Sequence, residues 1–126
     1  MSVHVQIIQG PLPGTIGTGE PGAGAMLVFE GIVRPSEDDR PIAALEYEAY
    51  EPMASKQLQA LGQTLVRDLG LISLRCMHSV GRVGVGQASF RLEIASRHRR
   101  EAIDAMDMFI DGLKRDVPIW KTPVFV

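Results

Sequence analysis

The apolar residues of this chain change period along its length, and the order of those changes limits the fold more than any other feature. Val3, Val5 and Ile7 alternate with polar neighbours, as do Leu45, Tyr47 and Ala49, then Ile72, Leu74, Cys76, His78 and Val80, then Ala88, Phe90, Leu92 and Ile94. A period of two places successive side chains on opposite faces of a strand. Two stretches break that rhythm with helical spacing. Met53, Leu58, Leu61, Leu65 and Leu69 mark the first, with Pro52 in its first turn and Gly70 closing it. Ala102, Ile103, Met106, Phe109, Ile110 and Leu113 mark the second, with Ser96 as the expected N-cap. The β-rich run Ala25–Val33 reads as a central strand. With the strand Ile42–Tyr50, beyond the polar turn PSEDDRP, it predicts a hairpin-like pair. GRVGVG at 81–86 reads as a turn, and the closing PIWKTPVFV as extended chain. Strand, strand, strand, helix, strand, strand, helix, strand predicts an α+β fold. We read residues 1–126 as one domain, with two main helices on a largely antiparallel sheet. Six glycines and three prolines between Gln9 and Gly24 predict a flexible loop over 9–24. It matches neither a P-loop nor a dinucleotide fingerprint.

Thirteen Lys and Arg against fifteen Asp and Glu leave a formal charge of −2. That balance removes the overall basic footprint of a nucleic-acid binder, and the strands lack the interleaved aromatic and basic pattern of an RNA-binding sheet. Any anion site must be local. The one cysteine, Cys76, alternates inward, and no His or Cys spacing matches a metal site, so neither a disulfide nor a metal is expected. The start MSVHVQIIQG lacks the features of a signal peptide. The longest mostly apolar stretch, Gly22 to Phe29, is far short of the roughly 20 residues that span a bilayer. The expected setting is a reducing cytoplasm, with no membrane and no nucleic acid as partner.

Two clusters carry the candidate chemistry. Arg97, His98, Arg99 and Arg100 open the second helix, where the macrodipole favours negative side chains. An anion docked there would gather helix N–H groups and guanidinium forks on the same oxygens. A solvated basic turn paired with Glu101 and Asp104 is the other reading. His98 fits a general acid or base, or a donor to an anion. His78 fits a hydrogen-bonded core or interface residue. Of only three lysines, Lys114 and Lys121 bracket the segment RDVPIW. Lys114 lies in the last helical turn, where a cation suits the dipole. Lys121 follows Trp120 in a mostly apolar strand, where desolvation would suit it to acid, base or nucleophilic work. Snorkelling to the surface is its alternative.

Four blocks then stand in a telling order: FEGIVR (Phe29–Arg34), LEYEAYEPMA (Leu45–Ala54), SRHRREAIDA (Ser96–Ala105) and IDGLKRDVPIWK (Ile110–Lys121). From about Gly24 to Lys121 the chain resembles the large, catalytic subunit of molybdopterin synthase, the MoaE family. The resemblance implies an α/β hammerhead fold and a homodimer of large subunits within a heterotetramer. It implies a small ubiquitin-like sulfur carrier, MoaD-like, whose Gly-Gly tail ends as a thiocarboxylate. Two sulfurs would pass to cyclic pyranopterin monophosphate, building the dithiolene of molybdopterin. No cofactor is implied, because the pterin is substrate and the carrier delivers the sulfur. By position, Lys114 and Lys121 match the reaction centre. Arg34, His98 and Arg99, with Ile32 and Val33 ahead of Arg34, match the substrate-binding residues. The chain departs from the family's usual residues at Ser79, Gln87, Thr122 and Pro123. A divergent, non-catalytic binding module that keeps the dimer and carrier surface is the alternative function.

Overall fold

The computed structural model describes residues 2–13 and 21–126. In chain order the elements are β1 (Ser2–Gln9), β2 (Ala25–Ile32), β3 (Ser36–Glu37), β4 (Arg40–Ala49), α1 (Met53–Leu69), β5 (Ser73–Gly84), β6 (Ala88–Ser96), α2 (Arg99–Asp116) and β7 (Ile119–Phe125). The long strand β5 joins two halves of the sheet. Its first part runs parallel to β1 on one side and antiparallel to β6 on the other, with Cys76 opposite both Val5 and Leu92. Gly81 to Gly84 then leave those partners and pair antiparallel with β4, which carries β7 on its other edge. Among the described residues every ladder except β1–β5 is antiparallel, so the α+β architecture is the expected one.

The alternating faces explain where the core lies. Leu74 and Cys76 of β5 and Phe90, Leu92 and Ile94 of β6 bury one face of the sheet against Leu58 and Leu65 of α1 and Ala102, Ala105 and Phe109 of α2. Close approach depends on a glycine: a Cβ at Gly62 would lie 2.8 Å from Val3 Cγ1, so α1 sits on β1 only because that atom is missing. Gly70 ends α1 with φ 65° and its N–H on the Val66 carbonyl, the left-handed cap that glycine adopts without a Cβ clash. A second, smaller core of Val33, Ile42, Leu45 and Val83 forms where β4 crosses β5.

Several local expectations are corrected. The run Ala25–Val33 is an edge strand, not a central one, and it pairs with β6 rather than forming a hairpin with β4. The hairpin lies farther on: Ser36 and Glu37 pair with Pro41 and Arg40 across Asp38 and Asp39, both with φ near +50 to +61°. A two-residue turn in the left-handed region matches the twist of antiparallel strands, so β4 takes its nearest partner locally and β2 is left to β6. In GRVGVG the strand continues through Gly84, because Val83 fills the smaller core. Only Val85 and Gly86 turn. The N-cap of α2 is His98 rather than Ser96, whose hydroxyl instead donates to the His98 carbonyl at 2.5 Å. The expected flexible loop 9–24 falls partly outside the described residues. Its described start is tied down, with Gln9 in β1, Leu12 buried and the Leu12 N–H on the Ala88 carbonyl.

Candidate active site

A cavity of about 410 Å³ opens between the end of β2, the β4–β7 ladder and the C-terminal half of α2. The register of β2 shifts between Gly31 and Ile32, and such a bulge re-aims the side chains that follow it. Ile32, Val33 and Arg34 thereby line one wall. Val33 is buried and held at both ends: its N–H donates to the Gln87 carbonyl at 3.0 Å, and its carbonyl accepts the Gly86 N–H at 2.9 Å. Lys114 arrives from the last turn of α2, beside Ile110 and Leu113. Lys121 arrives from β7, opposite Tyr47 in the ladder.

The floor is aromatic. Tyr47 meets His78 edge-on at 5.3 Å, His78 meets Phe90 at 5.8 Å, and Phe29 meets Phe90 at 5.9 Å between centroids. The Tyr47 hydroxyl shares a 3.0 Å hydrogen bond with the Ser89 hydroxyl. Burial pushes the His78 pKa below the ordinary histidine value, against a smaller opposing effect of its hydrogen bond to Ser79. The neutral ring donates from Nδ1 to the Ser79 carbonyl at 2.8 Å, as expected for a hydrogen-bonded core histidine. Cys76 is fully buried in the main core, and burial pushes its thiol up to about 12. It stays a thiol at neutral pH and does not line the cavity.

Three cations line this space, Arg34, Lys114 and Lys121, and among the described lining residues Glu37 is the one carboxylate. Lys121 Nζ donates to Glu37 Oε1 at 3.3 Å. Lys121 is half-exposed and ion-paired, which fits the snorkelling reading rather than the desolvated one. Among the described residues Arg34 and Lys114 have no ion-pair partner. Two uncommitted cations over an aromatic floor suit a ligand that is both flat and anionic. No three His, Cys, Asp or Glu side chains among the described residues stand close enough to hold a metal ion.

Of the residues singled out from sequence, Ile32, Val33, Arg34, Lys114 and Lys121 meet in this cavity. His98 and Arg99 do not. They begin α2, whereas Lys114 sits near its end, and fifteen steps at 1.5 Å each separate Arg99 from Lys114 by about 22 Å along the axis. His98 closes a capping box: its side chain accepts the N–H of Glu101, and the Glu101 carboxylate accepts the His98 N–H at 3.2 Å. That leaves the expected pairing of the arginines with Glu101 and Asp104 unformed. Arg97, Arg99 and Arg100 are exposed, with no ion-pair partner among the described residues. Glu37 escaped notice because the turn PSEDDRP reads only as polar. Tyr47 and Phe29 lie inside two of the four blocks, and that was the signal available for them.

Fold and site define a class: a small α+β protein with an aromatic-floored, cationic cavity built from five separated segments of chain. The sequence model described as "MoaE protein" matches residues 13–116, and the chain belongs to the MoaE family. It is 38% identical over 130 residues to a molybdopterin synthase catalytic subunit of Drosophila willistoni, covering 97% of this chain and 34% of that protein. It is 36% identical over 104 residues to the subunit of the same name from Thermoplasma volcanium, covering 82% of this chain and 76% of that protein. The chain thus spans about a third of the first relative's length and about three quarters of the second's. Among solved structures, molybdopterin synthase from Staphylococcus aureus superposes with a TM-score of 0.84 at 31% identity, covering 95% of this chain and 90% of that one. The complex of subunits 1 and 2 of molybdopterin-converting factor from Helicobacter pylori superposes with a TM-score of 0.75 at 28% identity, covering 97% and 89%.

Proposed function

We propose that the chain is the catalytic large subunit of a molybdopterin synthase, transferring sulfur from a thiocarboxylated small carrier to cyclic pyranopterin monophosphate. One observation carries this reading: Arg34, from the first third of the chain, converges with Lys114 and Lys121 near its other end over an aromatic floor in one cavity. The flat pterin stacks or packs on that floor, and the uncommitted cations meet the anionic groups of substrate and carrier tail. The thiocarboxylate sulfur attacks a side-chain carbon of the pterin and an oxygen leaves that carbon with a proton. Water then cleaves the acyl–sulfur bond, so that the carrier departs as a carboxylate, while Lys114, with Lys121 close by, handles the protons or holds the intermediate. No cofactor of its own is needed, since the pterin is substrate and the carrier brings the sulfur.

The partners follow from the same geometry. The Helicobacter neighbour is a complex of two subunits, and by analogy the carrier of this chain docks at the cavity mouth, where Trp120 and Ile32 are exposed. A homodimer explains the remaining residues. His98 and Arg99 lie too far along α2 to reach the cavity of their own chain, so they serve the partner protomer's site, and the exposed apolar Met26, Val28 and Ile32 of the edge strand β2 favour association. Among the described residues no helix is long and apolar enough to cross a membrane. A free, buried Cys76 suits a reducing cytoplasm. Incubation with thiocarboxylated carrier and pyranopterin, followed by detection of the dithiolene product, tests the reading. Absence of product with pterin still bound would instead identify a binding module.

A further inference from the structure

We propose that Glu37 is the positioning residue of Lys121, with the β3–β4 hairpin acting as a clamp that holds the lysine's ammonium at the cavity. The proposal rests on the reading of Lys121 as part of the reaction centre. The contact joins segments 84 positions apart: Glu37 Oε1 accepts from Lys121 Nζ at 3.3 Å. Glu37 is mostly buried, its side chain 18% exposed, whereas Lys121 is 50% exposed. The fixed member of the pair is therefore the carboxylate. A half-exposed lysine on a four-carbon stem otherwise samples many rotamers, most of them directed at solvent.

Three features hold Glu37 in place. The turn at Asp38 and Asp39 has both residues in the left-handed region, which sets the hairpin's twist. Glu37 pairs with Arg40 in the β3–β4 ladder. The Arg40 guanidinium carbon in turn lies 3.8 Å from the centroid of the Phe125 ring on β7, the strand that carries Lys121. The hairpin thus grips β7 at two points. The charge pattern matches this arrangement, because the only carboxylate among the described lining residues is spent on Lys121, while among the described residues Arg34 and Lys114 have no counter-ion. The three cations divide their work: two attract the anionic substrate, and the third is held in place.

A hairpin staple without functional consequence would predict a different set of results. The experiment compares wild type, Glu37→Gln, Glu37→Asp, Lys121→Ala and the double variant Glu37→Gln/Lys121→Ala. It measures kcat and KM for the pterin at saturating thiocarboxylated carrier, the Tm, and pterin affinity by calorimetry. We expect Glu37→Gln to lower kcat about tenfold, the scale of a slightly misplaced group. KM should not rise, because Lys121 has lost the counter-ion that competed with the substrate's anion. Glu37→Asp, one methylene shorter, should recover part of kcat. Tm should stay close to wild type, because an ion pair whose lysine is half-exposed adds little stability. In the Lys121→Ala background, Glu37→Gln should change kcat less than about twofold, since coupled residues are not additive. Where Lys121→Ala leaves too little product to time, the same cycle is read from pterin affinity, which Glu37→Gln should tighten about two- to threefold only when Lys121 is present. An unchanged kcat in Glu37→Gln, an equal loss with and without Lys121, or a joint fall in kcat, pterin affinity and Tm would each overturn the proposal. If wild type forms no product, the functional reading fails on its own, and the affinity cycle still decides whether Glu37 acts through Lys121.

Discussion

If His98 and Arg99 serve the cavity of a partner protomer, two crippled variants should rescue one another. Arg99 and Lys114 sit at opposite ends of α2, about 22 Å apart at 1.5 Å per residue, a gap that no pair of side chains in one chain closes around a small substrate. Consider Lys114→Ala co-expressed with Arg99→Ala under two different tags. Each homodimer carries the same defect in both sites. In the heterodimer, one site combines both defects, and the other combines the intact Lys114 of one chain with the intact Arg99 of its partner. Purification through both tags isolates the heterodimer, which should show about half of wild-type activity, one working site of two, in a symmetric dimer. An unselected mixture, half heterodimer, should show about a quarter. Loss of the Arg99 contact alone should weaken pterin binding by about 1.5–3 kcal/mol, the scale of a hydrogen bond to a charged group, so the Arg99→Ala homodimer stays well below that level. Product formation measured by dithiolene detection checks the arithmetic. A heterodimer no more active than the mean of the two homodimers would show that Arg99 does not complete the partner's site.

Lys114→Ala by itself should abolish product formation while leaving Tm within about 2 °C of wild type, since an exposed cation at a helix end contributes little to stability. Near wild-type turnover would reduce Lys114 to a helix-end charge. Phe109 is fully buried behind Phe90, with ring centroids 6.4 Å apart. Phe109→Ala should cost about 3–5 kcal/mol and lower Tm by about 12–20 °C for a chain of this size, and an unchanged melting curve would mean that the cavity floor is not supported from behind. For His78, burial lowers the folded-state pKa, so the unfolded chain takes up the proton first. Its contribution is complete above about pH 6.5 and is lost as pH falls from there towards the folded-state pKa. Urea melts of wild type should weaken over that window more than those of His78→Gln, and parallel pH dependences would count against a buried neutral imidazole.

Much of this protein is legible in one dimension. Alternation at Leu74, Cys76 and His78 and again at Phe90, Leu92 and Ile94, with helical spacing at Leu58, Leu61 and Leu65, suffices to locate three of the principal elements, because burial on one face imposes a period that survives in sequence. The same local logic points to Gly70 as the end of α1. Where it fails, a competing contact is non-local or a turn is stronger than its flanks. Ser96 has the right side chain for a cap, yet His98 and Glu101 complete the capping box and the helix starts after them. Gly81 and Gly84 read as a turn, yet Val83 is needed in the smaller core and the strand runs on.

The sequence by itself determined the types of the longer elements and their order, though not the short strand β3, and the four blocks that name the family. It also singled out the cations Arg34, Lys114 and Lys121. All of these are encoded in side chains close along the chain, where period, capping and motif spacing act. Only the tertiary structure decided that β2 pairs with β6, that Glu37 meets Lys121 across 84 positions, and that His98 and Arg99 stand apart from Lys114. Strand partners and ion pairs are chosen by surfaces that meet only after the chain has folded back on itself. The length of a helix, invisible as a distance in the sequence, separates residues that a list of functional positions would place together.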